Sequence, residues 1–250
     1  MIDLNADLGE SFGAWTMGAD AALLDQVTSA NIACGFHAGD PRTMDAAVAM
    51  AAERGVAIGA HVSYPDLVGF GRRQIRVTAD ELITDVLYQI GALEAFCRRH
   101  GTAVRYVKAH GALYNDLAGD ERLATALGEA VASYDRQLGV LVLAGSPAVG
   151  VLRDQGLRVV AEGFADRGYT AQARLVPRSQ PGAVLTDAAA VAERGWRIAT
   201  GAPIESDNGS PLVLEVASLC VHGDTPGAVD IARELRALLS ARNVEVAAFA

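Results

Sequence analysis

The chain predicts an α/β fold, a distorted seven-stranded (β/α) TIM-like barrel, formed as a single domain over residues 1–250. Three observations carry this. A chain of 250 residues, 51% hydrophobic and with 26 glycines, has the size and composition of one large globular barrel domain. Short apolar runs alternate with helical patterns, which reads as βα units and a mainly parallel sheet. No strand is followed by Gly-x-Gly-x-x-Gly, so a barrel is favoured over an open dinucleotide-binding sheet.

In chain order, the first strand (2–7) places Asp3, Asn5 and Asp7 on one face and Ile2, Leu4 and Ala6 on the other, because side chains alternate. It runs into Gly9-Glu10-Ser11-Phe12-Gly13, which matches the pattern of a nucleophile elbow. Such an elbow leads straight into a helix, whereas Ala14-Trp15-Thr16-Met17 intervenes here. The segment therefore reads as a loop over a pocket, with Asp7 and Glu10 supplying carboxylates. The second strand (29–34) sets Asn31, Ala33, Gly35 and His37 against Ile32, Cys34 and Phe36. Asp40-Pro41 then opens a helix as N-cap and N1 proline, and Gly55 stops it. The third strand (56–62) sets Ala57, Gly59, His61 and Ser63 against Val56, Ile58, Ala60 and Val62. Thr78-Ala79-Asp80-Glu81 is a capping box opening a helix that ends near His100-Gly101. The fourth strand (104–109) sets Tyr106, Lys108 and His110 against Val107 and Ala109. A fifth (140–144) precedes the N-cap-then-proline start Ser146-Pro147, and a sixth (157–161) follows. From 162 to 212 the chain holds four of its eight prolines and one helix (187–194), which suggests a long connection covering one end of the barrel. The last strand (217–222) sets Ser218, Cys220 and His222 against Leu219 and Val221, before Asp224 and a helix start at Thr225-Pro226.

Five strands thus present one polar or small face and one apolar face. In a barrel the apolar face packs on the helices and the polar face lines a lumen otherwise filled by branched aliphatics. Convergent polar groups in a cavity mark a binding or active site. His37, His61, His110 and His222 all fall at strand C-terminal ends, where barrel enzymes build their sites. The fifth histidine, His100, follows Arg98-Arg99 at a helix C-terminus, where a cation suits the dipole, and reads as surface structure. Asp7, His37, His61 and His110 are candidate ligands for zinc or a similar divalent ion. Unmetallated imidazoles acting as acids or bases account for the same residues, and spacing does not separate the two.

Lys108 is the only lysine among 21 cationic residues. An ammonium retained two residues before His110 in an arginine-biased chain points to a place needing a compact, tunable charge. The net charge of −9 argues against a nucleic-acid groove. The apolar run at 138–152 is too short and too interrupted to span a membrane. The start Met1-Ile2-Asp3-Leu4 lacks a signal-peptide pattern, and three cysteines without a C-x-x-C pair suit a reducing compartment, so a cytoplasmic location is expected. There is no P-loop, so any ATP used as co-substrate is expected either to bind this site in an unusual way or to bind with or by another chain.

The motifs Asp3–Gly13, Ser29–Pro41, Gly59–Asp66 with Gly69–Arg72, Lys108–Asn115, Glu162–Tyr169 and Leu219–Asp224 together resemble the LamB/YcsF family, end to end. One departure is Ala109, where the family pattern has proline; Ala109 faces the helices by parity, so a small backbone effect is expected. The resemblance implies a barrel of the glycoside hydrolase/deacetylase type. It also implies an ATP-dependent 5-oxoprolinase that opens 5-oxo-L-proline to L-glutamate, in a complex with partner subunits B and C. Candidate catalytic residues are Asp7, His37, His61, Lys108 and His110. Candidate substrate-binding residues are Asn5, Glu10, Asn31, Asp40, Arg72, Tyr114, His222 and Asp224. Two other readings fit the same residues: a stand-alone metal-dependent amide or sugar hydrolase, and a non-catalytic partner subunit.

Overall fold

A computed structural model describes residues 1–221 and 227–250. The expectations at His222, Asp224 and Thr225-Pro226 lie outside the described residues.

Seven parallel strands close a barrel: β1 (Asp3–Leu8), β2 (Ser29–Ala33), β3 (Ala57–Val62), β4 (Val104–Ala109), β5 (Gly139–Leu143), β6 (Arg158–Phe164) and, after the short antiparallel pair β7 (Ile204–Glu205) and β8 (Pro211–Leu212), β9 (Ser218–Val221). Strand order follows the chain, and β9 closes the ring between β6 and β1. Between the strands lie α1 (Asp20–Leu24), α2 (Pro41–Glu53), α3 (Ala79–Arg99), α4 (Gly111–Leu117), α5 (Glu121–Tyr134), α6 (Ala148–Asp154) and α7 (Ala188–Ala199), and α8 (Ala228–Ala241) follows β9. No helix among the described residues is long and apolar enough to cross a membrane.

Most of the helix signals act as expected. Asp40 Oδ1 accepts from the Arg42 and Thr43 amides and Pro41 occupies N1 of α2. Thr78 and Glu81 form a reciprocal capping box on α3, which satisfies amides that a helix start leaves unbonded. Ser146 differs: α6 begins at Ala148 with Pro147 as its cap residue and no side-chain cap bond. The chain is already helical at Pro147 (φ −54°, ψ −30°), as a proline opening a helix should be, but Ser146 Oγ makes no hydrogen bond, so the expected side-chain cap is absent. The helix expected at 187–194 runs on to Ala199, with Asp187 capping Ala190 N.

The outward strand residues Leu4, Ile32, Ile58, Ala60, Val62, Val107, Val140, Val142 and Leu219 merge with helix residues such as Val48, Val86, Ile90, Leu127 and Leu235 into one apolar layer, and Ala109 belongs to it. Removal of this layer from water supplies the main stabilisation of the barrel. A second, smaller apolar cluster forms inside the ring. Tyr106, Leu141 and Val160 pack with Ala57 and with Phe249 from the C-terminal tail, plugging the barrel beneath the polar lumen. Gly59 makes room for this plug, since a Cβ there would lie 2.1 Å from Tyr106 Cε2.

Candidate active site

The lumen above the plug is a buried polar network. Asp3 accepts from Thr28 Oγ1 and Ser29 Oγ, each at 2.6 Å, and from Ser218 Oγ. Asn5 Nδ2 donates to Glu162 Oε1 (2.9 Å) and Ser218 Oγ (2.8 Å). Asn31 Nδ2 donates to Asn5 Oδ1 (2.7 Å) and Asp7 Oδ1 (2.8 Å), and Tyr106 OH donates to Asn31 Oδ1 (2.8 Å). A polar lumen is tolerated when its members satisfy one another in this way, and the network then fixes a unique arrangement.

Lys108 stands on this floor. Its Nζ lies 2.8 Å from Glu162 Oε1, 3.2 Å from Asp7 Oδ1, 3.1 Å from Asn5 Oδ1 and 3.1 Å from Cys220 Sγ. Burial works against its charge, but the attraction of the two carboxylates outweighs burial and holds the pKa well above that of an ordinary lysine. Cys220 contributes a contact rather than a charge, because burial pushes its own thiol far up. Lys108 is therefore a fixed ammonium. Tyr114, on α4, donates to Glu162 Oε2 (2.8 Å), and burial keeps its phenol protonated.

Three histidines rim the mouth, on β3 and in the loops after β2 and β4. His61 Nε2 is 3.4 Å from Asp7 Oδ2 and 3.0 Å from His110 Nδ1. His37 Nε2 is 3.2 Å from Glu10 Oε1, and its ring stacks on His110 at 3.8 Å between centroids. Burial, with the neighbouring imidazoles, holds both His37 and His110 well below the usual histidine pKa. The loop after β3 closes over this group. Asp66 fastens it through Gly69 N and Arg73, and Gly71 sits against the rings with φ +64°. A Cβ at Gly71 would come within 2.8 Å of His110 Cδ2 and of His37 Cβ, so this close approach requires glycine.

A cavity of about 490 Å³ opens above these groups, in the range of small-molecule sites. Asp7, Glu10, His61, Lys108 and His110 form its floor, Tyr114 and Phe164 a wall, and Arg72, Arg167, Arg174 and Arg178 extend its lining outward. Arg167 and Arg174 are engaged with backbone carbonyls, of Ala183 and Val176 and of Ala118 respectively, and so also tie down the segment after β6. Arg72 lies over the Phe70 ring at 5.0 Å.

The sequence-derived candidates divide clearly. Asp7, Glu10, His61, Arg72, Lys108, His110 and Tyr114 line the cavity, His37 backs it, and Asn5 and Asn31 lie one layer below. Asp40 does not line the cavity: its carboxylate is committed to the α2 cap and to Gly13 N at 2.8 Å. Ser11 is tied within its loop, its Oγ accepting from Met17 N at 2.9 Å, and it does not line the cavity. Glu162, the counter-ion of Lys108, was absent from the candidates because the sixth strand was expected to end at Ala161. It continues to Phe164, and the parity that selected the other strands then puts Val160, Glu162 and Phe164 on one face.

The model of the LamB/YcsF family matches residues 2–250. A relative from Pseudomonas syringae pv. tomato, described as an A subunit of 5-oxoprolinase, is 55% identical over the whole of this chain and 97% of its own length. The crystal structure of a lactam utilization protein from Thermus thermophilus superposes with a TM-score of 0.94 at 44% identity, covering 99% of both chains. A peptidoglycan N-acetylglucosamine deacetylase superposes with a TM-score of 0.51 at 14% identity, over 99% of this chain and 85% of that one, a likeness of fold alone.

Proposed function

We propose, from the fact that this chain belongs to the LamB/YcsF family, that it is one subunit of an ATP-dependent 5-oxoprolinase opening 5-oxo-L-proline to L-glutamate. The full-length identity with a relative described as a 5-oxoprolinase subunit carries this reading, and the chemistry of the cavity supports it. A five-membered lactam is a stable amide, and transfer of the ATP γ-phosphoryl group to its carbonyl oxygen activates the carbon. Water adds there, the C–N bond breaks with a proton delivered to nitrogen, and hydrolysis of the resulting acyl phosphate releases phosphate and glutamate. The sequence has no P-loop, so ATP is handled with or by partner subunits B and C.

The substrate carries a carboxylate, and the activated intermediate also a phosphoryl group. Both suit a cavity lined by Lys108, Arg72 and Arg178. Lys108, held charged, cannot serve as base and acts as a fixed counter-charge to developing negative charge. The proton of the attacking water falls to the carboxylates and imidazoles of the mouth, Asp7, Glu10 and His61. Reconstitution tests the reading: 5-oxoproline and ATP are supplied to this chain alone, to the partners alone, and to the mixture. Glutamate is expected from the mixture only. Full activity of the partners alone overturns a catalytic role for this chain. ATP-independent hydrolysis of amides or acetylated sugars by this chain alone would instead favour a stand-alone hydrolase.

A further inference from the structure

Two backbone carbonyls fix how the mouth histidines are protonated. His61 Nδ1 lies 3.3 Å from the Lys108 carbonyl oxygen, and His110 Nε2 lies 2.9 Å from that of Phe70. A carbonyl oxygen only accepts, so each of these nitrogens carries the ring proton. The remaining nitrogens, His61 Nε2 and His110 Nδ1, therefore both present lone pairs in the neutral rings, and they face each other at 3.0 Å. The rings stand at 90° to one another, so the lone pairs converge instead of running parallel. Carboxylate oxygens complete the group: Asp7 Oδ2 is 3.4 Å from His61 Nε2, and Glu10 Oε1 is 3.5 Å from His110 Nδ1.

The two facing lone pairs and the Glu10 oxygen beside them repel unless a cation lies among them. We propose that His61 Nε2, His110 Nδ1 and Glu10 form a binding site for one divalent transition-metal ion of the zinc class. The dimensions agree. Ligands about 2.0–2.1 Å from a tetrahedral zinc ion are separated by roughly 3.3 Å; His110 Nδ1 is 3.0 Å from His61 Nε2 and 3.5 Å from Glu10 Oε1, and the ligand atoms of all three residues lie within 4.8 Å of one another. The carbonyl bonds on the far nitrogens are the outer contacts that orient metal-binding imidazoles. His37 also lies within 4.8 Å of Glu10, His61 and His110. Its ring is nearly parallel to that of His110 (7°), so its lone pair does not converge with the others, and it serves to hold Glu10 in position. An ion here would act as a Lewis acid toward a substrate oxygen and, with the His61 and Glu10 donors engaged, would leave Asp7 to take the proton of the attacking water.

The test is direct binding to the wild-type chain after chelation and dialysis. Titration with ZnCl₂ in a calorimeter, and with CoCl₂ by visible absorption, should each saturate at one ion per chain, with d–d bands of a low-symmetry site for cobalt. His61→Asn and His110→Asn should weaken zinc binding by about a hundredfold or more, and His37→Asn by about ten- to a hundredfold, as expected for an orienting contact. His100→Ala should leave binding unchanged. Circular dichroism establishes that each variant is folded. The absence of a saturable site in the wild-type chain overturns the proposal, whatever the variants do. So does unchanged affinity in both folded asparagine variants, or ¹⁵N spectra showing an imidazolium proton between His61 and His110 in protein that takes up no metal. These measurements use neither 5-oxoproline nor ATP, so their failure leaves the 5-oxoprolinase reading standing, and a failed reconstitution leaves the metal site standing.

Discussion

Held between Glu162 and Asp7, the Lys108 ammonium occupies a seat with acceptors on several sides: two carboxylates, the Asn5 carbonyl and the Cys220 sulfur. A guanidinium is wider, flat and forked, and does not fit acceptors arranged around a point. Lys108→Arg is therefore expected to lower glutamate formation in the reconstituted complex nearly as far as Lys108→Ala, by roughly a hundredfold or more; wild-type turnover in the arginine variant would show the lone lysine to be incidental. From sequence alone, removing a buried ammonium should leave the fold unharmed. The structure reverses this expectation, because two buried carboxylates lose their counter-ion, and breaking such a pair costs about 3–5 kcal/mol. Urea denaturation of Lys108→Ala measures this directly. His100 and His110 form the matching contrast. His100 ends α3 and pairs with Asp45 at 2.8 Å, away from the cavity, so His100→Ala should leave activity within about twofold and cost about 0.5 kcal/mol. His110→Ala should abolish activity. Equal losses in the two would mean that the inward face of β4 has been misassigned.

At the scale of single elements, Asp40 and Gly59 show why position in an element decides a residue's role. Asp40 is a candidate substrate-binding residue by sequence, but it caps α2 and tethers Gly13, and those amide bonds hold its carboxyl down at about 2. Asp40→Ala should cost about 1 kcal/mol of stability and leave Lys108-dependent turnover nearly intact; a collapse of turnover without loss of stability would restore it to the site. Gly59 has an ordinary place in β3, yet the Tyr106 ring occupies the space of a side chain there. Gly59→Ala should displace that ring and its bond to Asn31, costing about 1–3 kcal/mol as overpacking does, read from a urea midpoint. Much of this was legible in the sequence. Alternation on β1 to β4 and β9 identified the inward faces, and cap residues placed α2 and α3. Two kinds of feature were not. Glu162 was lost with the end of its strand, since the charge and glycine of Glu162-Gly163 break the apolar run although β6 continues through them to Phe164. The Tyr106–Phe249 plug joins residues far apart in the chain, and no local pattern links a C-terminal phenylalanine to a central tyrosine.

For the molecule as a whole, the buried imidazoles couple the site to stability. His37 and His110 are held well below 6.5 in the fold, chiefly by burial, whereas in the unfolded chain they take up protons near 6.5. The unfolded state then binds more protons on acidification, so their contribution is intact above about 6.5 and is lost as pH falls below it, by up to roughly 1.4 kcal/mol per pH unit for each ring. Urea midpoints in chelator from about pH 8 to pH 5 should fall on acidification, and His37→Asn should flatten the slope; a rise on acidification would contradict neutral burial. The ring itself closes late. β1 is hydrogen-bonded on one side to β2 and on the other to β9, more than two hundred residues downstream, and Ile2 and Phe249 place both chain ends at the floor. A ribosome delivering this chain from its N-terminus leaves one flank of β1 without its partner until residue 218 has emerged. Throughout that interval Asp3 and Asn5 lack Ser218, and Lys108 lacks Cys220. A nascent chain halted short of β9 therefore exposes an open strand flank and an incomplete ionic lumen, which makes it a natural client for chaperones and a poor candidate for C-terminal truncation.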